Sequence, residues 1–175
     1  MEFTLKFCGD LKSNACKEDK HTIRKEFHIQ IKELWNNQLL MKNADLKSDL
    51  IKNIGNFNFL PLISEKIAII AEIDILMRQG MPDKIITEGG DIDSRLKTIF
   101  NALRVPDNKE ALPKINRPDN GEDPFFCLLE DDNLITKVTM STDRLLLPHP
   151  SSAHVEMFIN VKTIKHIDYI ATNGL

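Results

Sequence analysis

Gly89-Gly90-Asp91-Ile92-Asp93-Ser94-Arg95-Leu96-Lys97 is the densest run of chemically capable residues in the chain. Asp91 and Asp93 stand where a glycine-containing loop enters a helical pattern. Lys97 follows Asp93 by four residues, on the same helical face. A second acidic run, Glu130-Asp131-Asp132, precedes a strand-like stretch. If that strand lies beside the start of the helix, carboxylates from the two runs converge. Mg²⁺ takes oxygen ligands in octahedral geometry and keeps several waters. A metal so held binds a phosphate oxygen and acidifies a water, and a nearby lysine offsets charge developing on the scissile phosphate. Two aspartates two positions apart, a lysine and a distant aspartate are therefore the residue types of metal-assisted phosphodiester hydrolysis. Each run also has a plain structural reading. Acids at a helix start cap it and complement its dipole, and Asp131-Asp132-Asn133 is an ordinary turn sequence.

A second candidate is basic. Lys17, Lys20, His21, Arg24, Lys25, His28 and Lys32 form a stripe beside the apolar stripe of one helical segment. Such a stripe can contact DNA phosphates, giving salt-dependent binding. It is also what a solvated helix face looks like when Glu18, Asp19 and Glu26 balance it. His21 and His28 are two helical turns apart, too far to share a metal by themselves, and His149, His154 and His166 have no ligand spacing. Cys8 reads as structural, and Phe27 and Trp35 as core residues. There is no GxxxxGK[ST], GxGxxG or GxSxG motif, so nucleoside triphosphatase, dinucleotide-binding and hydrolase-elbow readings find no support.

The elements that must position these groups are legible from periodicity. Phe3, Leu5 and Phe7 alternate with polar residues and predict an opening strand. Ile23, Phe27, Ile31, Leu34 and Trp35 predict a helix over 17 to about 40. Ile69, Ala71, Ile73, Ile75 and Met77 predict a half-buried strand over 67–78, with 57–64 as a hairpin partner interrupted by Pro61. Leu96, Ile99, Phe100 and Leu103 predict a second helix, capped by Asp93 or Ser94 and ended by Pro106. Residues 107–124, with three prolines and Asn120-Gly121, read as a long surface excursion of the functional kind. Alternating segments near 134–140 and 155–161 predict two closing strands, and 163–170 a short helix. The expected fold is a single α+β domain over 1–175, with a small mixed sheet and two main helices packed on it.

Composition narrows the class. A chain of 175 residues, 42% hydrophobic, can bury a core without disulfides or metal staples. A net charge of -3 excludes holding nucleic acid by bulk basicity but allows a local basic patch. Three cysteines with no CxxC pair point to a reducing compartment. No apolar stretch approaches a membrane span, and no signal-peptide pattern opens the sequence, so a soluble, cytoplasmic protein without membrane association is expected.

Asp91-Ile92-Asp93-Ser94-Arg95-Leu96-Lys97-Thr98-Ile99-Phe100-Asn101-Ala102-Leu103, followed by Leu129-Glu130-Asp131-Asp132-Asn133-Leu134-Ile135, resembles the RusA family of phage-derived Holliday junction resolvases. That family has a D-[LI]-D-N-x-x-K-x-x-x-D-A-L helix start and a D-D-x-x-[VI] turn into a strand. The resemblance covers residues from about 67 to 140. It implies a RusA-like fold and a Mg²⁺-dependent endonuclease, with Mn²⁺ as a substitute, that cleaves four-way junctions in DNA recombination and repair. It implies Asp91, Asp93 and Asp132 as metal ligands, with Asp131 as an extra acid, and Lys97 as the essential lysine. It implies branched double-stranded DNA as the partner and a homodimer as the working unit. It favours DNA contact for Lys17, Lys20, Arg24, Lys25, His28 and Arg95. Ser94 stands where the family has Asn, and Asn101 where it has Asp. Thr87-Glu88-Gly89-Gly90 stands where some members carry arginines. The helix-to-turn spacing is longer than the family's. A non-catalytic binding module of the same fold, or a nuclease for other branched DNA, is the alternative.

Overall fold

Alternation of apolar and polar side chains gives the chain several of its strands, and a computed structural model shows how all of them assemble. It describes residues 1–37, 44–80, 92–114, 117–148 and 150–165. The strands are β1 (Glu2–Asp10), β2 (Lys52–Ile54), β3 (Phe57–Ile63), β4 (Ile69–Gln79), β5 (Phe125–Leu129), β6 (Ile135–Arg144) and β7 (His154–Lys165). The helices are α1 (Lys17–Asn37), α2 (Ala44–Leu50) and α3 (Ile92–Leu103). The fold is α+β, as expected. Two mixed sheets of four and three strands replace the single small sheet.

The larger sheet has the order β1-β7-β4-β6. β7 is antiparallel to both β1 and β4, and β4 is parallel to β6. A parallel pair needs a crossover, and here α3 lies in the connection between β4 and β6. The inward residues of the sheet are Leu5 and Phe7, Ala71 to Met77 at alternate positions, and Val155 to Val161 at alternate positions. They pack against Ile23, Phe27, Ile31 and Trp35 of α1 and Ile99, Ala102 and Leu103 of α3.

The smaller sheet has the order β2-β3-β5. β3 pairs with β2 antiparallel and with β5 parallel, so the hairpin expected between 57–64 and 67–78 does not form. Six of the seven residues of β3 and all five of β5 are buried. Strands covered on both faces read as continuous apolar runs without alternation, which is why β5 escapes a period-two reading. Between β3 and β4 a tight turn forms instead. Ser64 caps it, and Ala68 closes it in the left-handed region at φ 51°.

The 107–124 segment is not a surface excursion throughout. Asn108 caps a 3-10 turn, Lys109–Ala111, and Leu112 then enters a second core cluster with Phe57, Phe59, Val105, Phe125 and Cys127. Further on, Asp119 and Glu122 pair with Lys25, and the Gly121 carbonyl accepts from Lys32 at 2.7 Å. The segment is thereby laid back along α1. β7 continues to Lys165, so the start of the helix expected over 163–170 is strand, and its remainder lies outside the described residues. Among the described residues no helix is long and apolar enough to cross a membrane.

Candidate functional site

α3 divides its residues by face. Arg95, Thr98, Ile99, Ala102 and Leu103 turn inward, while Asp93 and Lys97 stand on the outer face. Their i, i+4 spacing brings the Lys97 Nζ to 2.5 Å from Asp93 Oδ2, both side chains remaining well exposed. Asp91 lies outside the described residues. Arg95 is turned away from any surface role: it is buried, and its Nη1 donates to Gln79 Oε1 at 2.6 Å. That bond ties the first turn of α3 to the end of β4.

Beside Asp93 and Lys97 lies an open cleft of about 410 Å³. Ser13, Asn14 and Ala15 from the turn before α1 form one wall, with Lys20 from the first turn of α1. Ser94, Lys97, Thr98 and Asn101 of α3 form the other. The Thr98 hydroxyl lies 3.3 Å from the Lys12 carbonyl and holds the two walls together. Two ammonium groups among hydroxyls and amides are the donors that phosphate oxygens take. The wall residues Ser13 and Asn14 carried no signal in the sequence beyond belonging to a polar turn.

The second acidic run is elsewhere. The Leu129 backbone bridges Arg104, the residue just after α3. Arg104 gathers the acids there: its guanidinium bonds Asp107, and lies 3.6 Å from Asp131 and 3.9 Å from Asp132. The hydrogen bond to Asp107, reinforced by the charges of Asp132 and Asp131, raises the Arg104 pKa. Arg104 in turn lowers that of Asp107. Asp131 caps the 3-10 turn Asp132–Leu134, accepting from the Asn133 N–H at 3.0 Å. Glu130 is structural: it accepts from the Ser64 hydroxyl and the Glu65 N–H and pairs with Lys52, tying β2, β3 and β5 together. Burial pushes its pKa up, but these partners outweigh burial and hold it below the usual range.

Asp93 and Asp132 therefore sit at opposite ends of α3. From Asp93 to Arg104 the helical rise is about 16 Å. The sheet agrees. β6 begins opposite Ala71, while α3 begins beside Gln79, about 26 Å further along β4 at strand spacing. Mg²⁺ ligands lie about 2.0–2.1 Å from the ion, so these two carboxylates of one chain do not fit a shared metal. Among the described residues, the expected convergence is not found between Asp93 and the second acidic run of the same chain. Among the described residues no group of three or more His, Cys, Asp or Glu side chains could hold a metal ion.

The basic stripe of α1 is interior at three of its seven residues. His21, Arg24 and His28 are buried. β5 covers them: the His28 ring lies tilted against Phe125 with centroids 4.5 Å apart, and its Nδ1 accepts from the Phe126 N–H at 2.8 Å. His21 packs between Phe57 and Phe125. Burial, with help from Arg24 and Lys25, pushes its pKa down to about 4. Arg24 donates from Nη2 to the Asn101 carbonyl at 2.7 Å, and burial lowers its pKa. The Arg24, His28 and Arg95 expected at a DNA surface are thus inside: β5 packs over Arg24 and His28, and Arg95 turns toward the end of β4. Lys25 is committed to Asp119 and Glu122. Lys17 and Lys20 remain partly exposed, and Lys20 alone of this stripe lines the cleft.

Comparison of the chain with family models, with curated proteins and with solved structures finds no match.

Proposed function

We propose that this protein is an endonuclease for branched DNA, four-way junctions in particular, that engages the sugar-phosphate backbone in the cleft beside α3. The observation that carries this reading is the meeting of Lys20 and Lys97 in one polar cleft, with Asp93 at its margin. The two lysines come from separate helices, and each was singled out for phosphate chemistry by its sequence context. In this reading Lys20 and the Ser13, Asn14 and Ser94 side chains hold a phosphate in place. Lys97 faces the same phosphate and counters the charge that grows on it during attack. Its pairing with Asp93 orients the ammonium. The magnesium requirement comes from the resemblance, and one chain brings together only part of the ligand set that the resemblance implies.

A second reading is a branched-DNA binding module without nuclease activity. It is favoured by the placement of Asp132, which is held by Arg104 at the far end of α3. A synthetic four-way junction separates the two. Paired nicks that need Mg²⁺, vanish with chelator and are lost in Asp93→Asn with binding retained support the nuclease. Tight, salt-sensitive binding with no cleavage in Mg²⁺ or Mn²⁺ supports the module. Absence of binding by the folded protein refutes both.

A further inference from the structure

Cys8 has no histidine near it in the sequence, but the larger sheet supplies one. β1 and β7 run antiparallel, with Cys8 level with Glu156 and Asp10 level with His154. Leu5 and Phe7 of β1, and Val155 and Met157 of β7, face the helices. Alternation therefore turns Cys8, Asp10, His154 and Glu156 to the opposite face. There the Cys8 Sγ lies 3.6 Å from the His154 Nε2. The other ring nitrogen, Nδ1, lies 3.8 Å from Asp10 Oδ1. The Ser151 hydroxyl donates to that same carboxylate oxygen at 2.5 Å. The turn leading into His154 is fastened as well: the His154 N–H donates to the Ser151 carbonyl at 3.2 Å, and the Leu11 N–H to the Ala153 carbonyl at 2.9 Å. A nucleophile, a base and a group that orients the base thus meet from β1 and β7. Asp10 beside Nδ1 favours the tautomer with its proton there, which leaves Nε2 to accept the thiol proton. The charged side chains near the thiol are Lys6 and Glu156, which pair at 2.9 Å, and Arg78 of β4, 3.6 Å from Glu156.

Neither of the other cysteines has this setting. Cys16 is exposed, but its thiol donates to the Asp19 carboxylate at 3.3 Å. Cys127 is fully buried, and burial pushes its thiol pKa up to about 12. We propose that Cys8 is a nucleophilic thiol, served by His154 and Asp10, that exchanges with small-molecule disulfides on the sheet face away from α1 and α3. This site is independent of the cleft beside α3 and of the nuclease reading. The substrate class follows from what the site has. Disulfide exchange needs a thiolate, open access to a sulfur and a proton for the departing thiol. Acyl transfer needs, in addition, donors aimed at a developing oxyanion. Cys8 is exposed on an edge strand of its sheet, which gives the access, and His154 carries the proton. In the step, the Cys8 thiol passes its proton to Nε2 and the thiolate attacks one sulfur of the disulfide. The new S–S bond forms on Cys8 as the old one breaks. The departing thiolate takes the proton back from the imidazolium and leaves as a thiol. Cys8 is oxidised to a mixed disulfide, and the released half of the substrate is reduced.

The test incubates the full, reduced chain with glutathione disulfide and follows the mixed disulfide at each cysteine by peptide mass spectrometry. Cys8 should react about tenfold or more faster than Cys16, with Cys127 unmodified in the folded protein. His154→Gln should slow Cys8 about tenfold, and Asp10→Asn should slow it by less, with the Cys16 rate unchanged in both. Cys127 reports in the same molecules that the fold is kept. Should it become reactive in His154→Gln, the Asp10→Asn variant decides by the same comparison. Equal rates at Cys8 and Cys16 overturn the proposal. So does a folded His154→Gln protein whose Cys8 reacts at the wild-type rate, or a variant that slows Cys8 and Cys16 alike.

Discussion

If the protein works as the homodimer that the resemblance implies, and one site draws Asp93 from one copy and Asp132 from the other, two inactive variants should restore activity to one another. Asp93→Asn and Asp132→Asn each damage both sites of their own homodimer. Loss of a charged group beside the reacting phosphate should cost each about a hundredfold or more in cleavage rate. After subunit exchange in an equal mixture, random pairing makes about half of the dimers mixed. A mixed dimer has one site carrying both substitutions and one site carrying neither. The mixture should therefore regain about a quarter of the wild-type rate. Were Asp132 to act on the Asp93 of its own chain, every site in the mixed dimer would carry one substitution and nothing would be regained. The separation of about 16 Å along α3 is what makes the first outcome the expected one. The assay is nicking of a labelled four-way junction in Mg²⁺, with mixed dimers verified by retention of a tag carried on one variant only. No recovery in a mixture shown to contain mixed dimers would refute the shared site. Full activity of the Asp132→Asn homodimer would refute any role for Asp132.

Stability should fall on acidification in a way that His21 accounts for in part. Its folded-state pKa of about 4 lies below the ordinary 6.5, so the folded protein binds fewer protons than the unfolded chain between these values, and stability present above pH 6.5 is lost as pH falls toward 4. With partial solvent screening the loss is about 2 kcal/mol; His21→Phe should flatten that part of a urea-denaturation pH series, and an unchanged slope would sink the assignment. Arg24→Met should leave junction affinity within about twofold and stability within about 1 kcal/mol, since a buried charge gives way to a well-packed apolar chain. A selective loss of affinity in that variant would return Arg24 to the DNA surface. Lys20→Ala should lower the slope of log affinity against log salt by about 0.9, the value for one phosphate contact. An unchanged slope would exclude Lys20 from the interface.

Local pattern was enough for a good part of this molecule. The apolar stripe of α1, the face of α3 and the alternation in β1, β4 and β7 all follow from the period of a single element, and the structure has them within a few residues of the expected bounds. The Asp93–Lys97 pair is legible for the same reason: four residues along one helix is a local distance. The remainder depended on what packs on what. The stripe containing His21, Arg24 and His28 has the composition of a solvated face, and only the return of β5, 98 residues after His28 in the bond to Phe126, makes it interior. β3 and β5 show no alternation because both of their faces are covered, a property of their neighbours and not of their own residues. The parting of Asp93 from Asp132 is likewise tertiary. Both runs have the right residue types, but the crossover from β4 through α3 to β6 sets one at each end of the helix. No spacing along the chain records a distance that the turn back through β5 decides.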